Sequence, residues 1–160
     1  MPLATLPVLT PALPEIFLAV AALLLLMAGV FSNAETNTRT ISYASILVLL
    51  VTIPFVGMVT EGRSVTFGGA FVTDTFAVYI KALVLISAAA AILMSKDYLK
   101  IQGIERFEFP VLIVLATLGM MMMISANDLI ALYLGIELQS LSLYVIASFQ
   151  RDSTRSAEAG

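Results

Sequence analysis

The sequence predicts an all-α integral membrane protein, and three observations carry that prediction. Hydrophobic residues make up 60% of the 160 positions and charged residues only 12%, against about 45–50% and about 25% in a soluble globular chain. The apolar residues fall into five runs of roughly 17–22 residues, close to the 20 or so that a helix needs to cross the hydrocarbon core. Those runs are continuous rather than alternating, which speaks against a barrel and leaves helices as the way to satisfy the backbone in lipid.

The first span is expected over Pro14–Phe31. Pro11 and Pro14 suit a first helical turn, where a missing N–H costs nothing, and Ser32-Asn33-Ala34-Glu35 supplies a polar end. No Lys or Arg precedes Arg39, so this segment lacks the basic start of a signal peptide and reads as a retained helix. The second span covers Ile41–Thr60, with Pro54 inside it as a kink. Gly62, Gly68, Gly69 and Asp74 mark the loop before a third span over Thr75–Ser95. The fourth covers Phe109–Ser125 and the fifth Leu129–Gln150. Ser125 and Asp128 stand at capping-box spacing for the fifth helix, and so short a link makes the last two helices an antiparallel hairpin.

Lys and Arg counts set the orientation. The loops after spans one, three and five hold Arg39, then Lys96, Lys100 and Arg106, then Arg151 and Arg155; the other side holds Arg63 alone. Six against one places the first group in the cytoplasm and the N-terminus outside. The closing Arg155-Ser-Ala-Glu-Ala-Gly160 reads as the middle of an inner loop or the start of a sixth helix, so the sequence is expected to continue.

With no Cys and no His, and a net charge of −3, the usual ligands of zinc, haem and iron–sulfur clusters are missing, and no basic block invites nucleic acid. Any titrating group in the membrane must be a carboxylate, Lys or Tyr. Glu137 is the leading candidate. It lies near the middle of the fifth span, where a carboxylate costs roughly 2.5–3.5 kcal/mol to insert. Helical spacing lines it up with Tyr133, Ser140 and Tyr144 in a polar stripe that belongs against protein or water. A membrane carboxylate in that setting suits a proton or ion site; a protonated Glu hydrogen-bonding a neighbouring helix is the plainer alternative.

Lys81 comes second. At 1.5 Å per residue it is roughly 9 Å deep and Glu137 roughly 13 Å, so the two could pair if their helices touch. The favoured expectation is instead that Lys81 snorkels to the outer headgroups. Glu15, Asp74 and Asp128 stand in or just before first turns and read as helix caps. Met120–Met123 reads as adaptable packing. Glu105, Arg106 and Glu108 form a solvated inner loop or a subunit contact.

The run Ser125-Ala-Asn-Asp-Leu-Ile-Ala-Leu-Tyr-Leu-Gly-Ile-Glu137-Leu-Gln-Ser-Leu-Ser-Leu-Tyr144-Val-Ile-Ala resembles the fifth helix of the antiporter-like membrane subunits of proton-pumping NADH:quinone oxidoreductase, respiratory complex I. Arg151–Gly160, Leu13-Pro-Glu-Ile16 and Asp74-Thr-Phe-Ala-Val-Tyr-Ile-Lys81 are similar to the same family, so the resemblance covers nearly the whole chain. It implies a fold of about fourteen helices, in which two inverted five-helix repeats follow three N-terminal helices. Residues 1–107 would be those three helices with their loops, and 108–160 the first helix hairpin of a proton-translocating repeat. It also implies that Glu137 lies on a proton path and pairs with a lysine of the seventh helix, beyond this sequence; from its own position, Lys81 is a candidate modulator or pair of Glu137. The expected partners are other membrane-arm subunits, antiporter-like ones among them, and the lipid bilayer of a cell inner (cytoplasmic) membrane. No cofactor is expected in this chain: FMN, iron–sulfur clusters and quinone would belong to other subunits. A subunit of a multi-subunit cation/proton antiporter and a purely structural membrane-arm element are the alternatives.

Overall fold

A computed structural model describes residues 9–31, 34–58 and 62–149, with the side chains of 34–37 left aside. Five helices dominate it: α1 Leu13–Phe31, α2 Ala34–Met58, α3 Thr75–Ile101, α4 Glu108–Ser125 and α5 Leu129–Ala147. All five are long and apolar enough to cross a membrane, so the multi-pass reading stands.

Local chemistry explains the helix ends. A short 3-10 turn over Thr10–Ala12, containing Pro11, leads into α1. Asp74 caps α3 by accepting from the Ala77 N–H at 2.7 Å, and Asp128 caps α5 by accepting from Ala131 at 2.6 Å. Both therefore satisfy a donor that the first turn leaves orphaned. Ser125 does not start α5 as the capping-box spacing suggested. It closes α4, and Asp128 takes the cap position alone. At its far end α3 stops where Gly103 adopts φ 66° and the Ile104 N–H returns to the Leu99 carbonyl, a turn that favours glycine.

Two helices outrun their spans. α2 begins at Ala34, ahead of Ile41, and α3 runs on from Ser95 to Ile101. Hydropathy marks the part of a helix suited to lipid, whereas backbone hydrogen bonding carries it on into polar turns. α2 also continues through Pro54 to Met58. The expectations placed on Ser32-Asn33, Thr60, Gln150 and Arg151–Gly160 lie outside the described residues.

The loop expected between spans two and three is an antiparallel β-hairpin, β1 Ser64–Thr66 with β2 Phe71–Thr73, pairing Val65 with Val72. Its turn holds Phe67, Gly68 and Gly69, all at positive φ.

α1, α2 and α3 pack in sequence, and α4 packs against all three. Their shared core is Leu18 and Ala22 from α1, Leu49 and Val56 from α2, Leu85, Ala88 and Ile92 from α3, and Val114, Leu118 and Met121 from α4. α5 rests chiefly on α4. Glycine sets that approach: a Cβ on Gly119 would stand 2.7 Å from the Gln139 nitrogen and 2.8 Å from the Gly135 carbonyl oxygen. Small residues at a helix–helix contact are the usual device where lipid removes the hydrophobic drive to associate.

Candidate functional site

α5 presents two unlike faces. Gly135 and Ser142 are buried against α4, and Leu138 packs on the core. The opposite flank carries Tyr133, Glu137, Ser140 and Tyr144 along one face of the helix. Tyr133 and Tyr144 are exposed, while Glu137 and Ser140 are half-buried. Tyr133 lies one turn before Glu137 on the same flank, and its hydroxyl and the Glu137 carboxyl interact. The stripe turns away from the α1–α4 bundle. A carboxylate with a phenol beside it, on the open flank of a membrane helix, can accept and return a proton to whatever packs there.

Lys81 departs from expectation. It does not snorkel to the headgroups, being only 1% exposed, and its ion-pair partner is not Glu137. Its Nζ lies 2.5 Å from Oε1 of Glu15, itself buried on α1, and 5.1 Å from the centre of the Phe71 ring. The physical reason includes the hairpin: β2 brings the Phe71 ring over the ammonium and helps to bury it. Glu15, read as a cap, is the counter-ion beside which Lys81 is buried, since a buried charge without its partner is costly. Sequence reasoning missed this pair because its members lie on different helices. The signal available was two ionisable residues of opposite charge within the first two turns of helices that start at the same end of the bundle.

The hairpin also reaches the start of α5. Asn127 donates its side-chain N–H to the Gly69 carbonyl at 2.8 Å and its backbone N–H to Ala70 at 2.9 Å, and Phe71 bridges to Ala126. One loop thus touches both the buried ion pair and the link that leads to Glu137. Elsewhere, Met121 is fully buried while Met120 lines a lateral groove beside α3, in keeping with packing. Arg106 and Glu108 border a small cavity with Phe149 where α4 begins and α5 ends.

Comparison with known proteins bears on this arrangement. Residues 126–160 match the family model described as NADH:quinone oxidoreductase/Mrp antiporter, TM. The fold is similar to a chain of respiratory complex I from Thermus thermophilus with bound Aureothin, with a TM-score of 0.70 over 91% of this chain and 32% of that one, at 21% identity. Fold and helix hairpin together define an antiporter-like, multi-pass membrane fold. Its relatives narrow the class. NADH-quinone oxidoreductase subunit N of Parvibaculum lavamentivorans is 52% identical over 158 residues, 99% of this chain and 32% of the relative. The protein of the same name from Paramagnetospirillum magneticum is 55% identical over 152 residues, 95% of this chain and 31% of the relative. Along nearly its whole length the chain is thus similar to NADH-quinone oxidoreductase subunit N, and it spans about a third of the length of these relatives.

Proposed function

We propose that this chain is part of a membrane-arm subunit of NADH:quinone oxidoreductase and contributes to proton translocation coupled to electron transfer from NADH to quinone. The observation that carries the reading is Glu137 itself, a carboxylate on a membrane helix, on the flank away from its own bundle and beside Tyr133. The carboxylate takes a proton from one side and returns it to the other as its surroundings change, with Ser140 and Tyr144 extending the polar track along the helix. The chain itself does no redox chemistry. FMN, iron–sulfur clusters and quinone are held by other subunits, and the stripe-bearing flank of α5 is where further membrane-arm helices, antiporter-like ones included, would pack. The home of the protein is the cell inner membrane, with the ends that carry Arg39, Lys96, Lys100 and Arg106 in the cytoplasm and the β-hairpin outside.

Glu137→Gln removes the titrating group and keeps the shape. In the complete enzyme it should leave assembly intact and lower the protons moved per NADH oxidised; an unchanged ratio would sink the assignment. The matching family model also covers Mrp antiporters, which favours a cation/proton antiporter subunit as the second reading. Copurification separates the two: NADH-oxidising subunits support the first, other antiporter subunits the second.

A further inference from the structure

We propose that Glu15 and Lys81 form a second proton-exchange site, beneath the β-hairpin and separate from Glu137; the proposal deepens the proton-translocation reading and rests on it. Both side chains are buried, at 1% exposure for Lys81 and 7% for Glu15, and their charged atoms are in contact. Such a pair is weak evidence for stability, because well-packed apolar residues of similar volume do as well or better. Ionisable groups kept inside a membrane bundle mark ion and proton routes far more often.

The surroundings suit a proton. Beyond Lys81 and its own backbone N–H, the Glu15 carboxylate meets no donor among the described residues. A carboxylate can accept about four hydrogen bonds, so it has capacity to spare. The hydroxyls of Thr73 and Ser125, buried at the same end of the bundle, also lack partners among the described residues. Polar groups in that condition are commonly met by buried water, the medium that carries protons. Glu15 further lines a lateral groove of about 350 Å³, whose other walls are apolar residues of α1, the hairpin, α4 and α5, Phe71 and Leu134 among them.

The exchange balances simply. A proton from hairpin-side water forms an O–H bond to the Glu15 carboxylate, and the neutral pair becomes a single cation. Lys81 keeps its charge and rests against the face of Phe71, where cation–π attraction holds it. Loss of the proton restores the ion pair. Among the described residues, the other charged groups at this end are Arg63, just before the hairpin, and Asp74 and Asp128, both engaged as caps. From Ser64 to Thr73 the hairpin carries no charge, and α4 has only Glu108, at its opposite end. Because Phe71 bridges to Ala126, a change in the pair is felt at the entry to the helix that carries Glu137. Glu15 is thus the group that takes the proton, and Lys81 positions it.

The test uses the complete enzyme in proteoliposomes. Glu15→Gln and the apolar double variant Glu15→Leu with Lys81→Leu are compared with Glu137→Gln and the unmodified enzyme. Both Glu15 variants should assemble and oxidise NADH, yet deliver at least about twofold fewer protons per NADH. Each should also lose one component of the protonated-carboxyl band in the reaction-induced infrared difference spectrum. The proposal is overturned if the double variant pumps normally, since the pair is then packing alone, or if Glu15→Gln changes neither readout. It is equally overturned if no Glu15 variant assembles, because the pair is then a structural requirement. A normal Glu137→Gln beside a deficient Glu15→Gln would contradict the assignment of Glu137 and leave this site standing; the reverse result removes this site alone.

Discussion

Removing one member of a buried ion pair and removing both have different consequences, and the Glu15–Lys81 contact exposes the difference. Lys81→Met leaves a carboxylate buried without its counter-ion and should destabilise the chain by about 3–5 kcal/mol, read as an earlier thermal unfolding transition in detergent. The double leucine variant should recover most of that loss, so the two changes are strongly non-additive. At this scale the sequence was partly legible. Asp74 and Asp128 showed their roles because a cap is local: the residue and the N–H groups it satisfies lie within one turn. Glu137 stood out because a charge among apolar neighbours is visible in one dimension. The Glu15–Lys81 pair stayed hidden because only the packing of α1 against the rest of the bundle, with the hairpin folded over it, decides which buried charge meets which.

Among the elements, the contact between α4 and α5 depends on the absence of side chains. A Cβ on Gly135 would stand 3.0 Å from both the Gly119 carbonyl oxygen and the Met123 nitrogen, with the Met123 Cγ at 2.7 Å. Gly119→Val and Gly135→Val should each force the helices apart and cost about 1–3 kcal/mol, with Glu137 displaced along with α5. The check is the yield of assembled enzyme, together with the unfolding midpoint. The hairpin gives a second expectation. Asn127→Ala removes the side-chain bond to Gly69, so amide exchange in 64–73 should quicken while that in α1–α4 stays unchanged. Helix number and rough limits were legible because hydropathy and helix length are tied to the thickness of the bilayer. The hairpin was read only as a loop, although Val65-Thr66 and Phe71-Val72-Thr73 flanking Gly68-Gly69 have the composition of two short strands about a turn. Three-residue strands are too short to show a convincing alternation beside the glycines of their turn.

At the scale of the whole molecule, four helices share one core and the fifth stands at its flank, with a polar stripe facing outward. A flank of that kind suits a membrane protein that continues into further helices or meets another subunit, and the relatives are about three times as long as this chain. Orientation has its own test, and none of these 160 residues is a cysteine that would compete for the label. A membrane-impermeant thiol reagent should label Arg63→Cys in cells whose inner membrane is intact, and Lys100→Cys only once that membrane is opened. Labelling in the opposite order would reverse the topology. Membership of the antiporter-like class was legible in the residues around Glu137, whereas the open face of α5 became visible only when α4 was seen to cover its other side.

The central claim is that the Glu137 carboxyl carries protons. Its most direct test is the number of protons moved per NADH oxidised by the complete enzyme in proteoliposomes, with Glu137→Gln set against the unmodified enzyme at equal assembly. The account predicts a clear fall in that ratio. An unchanged ratio in a fully assembled enzyme would contradict it.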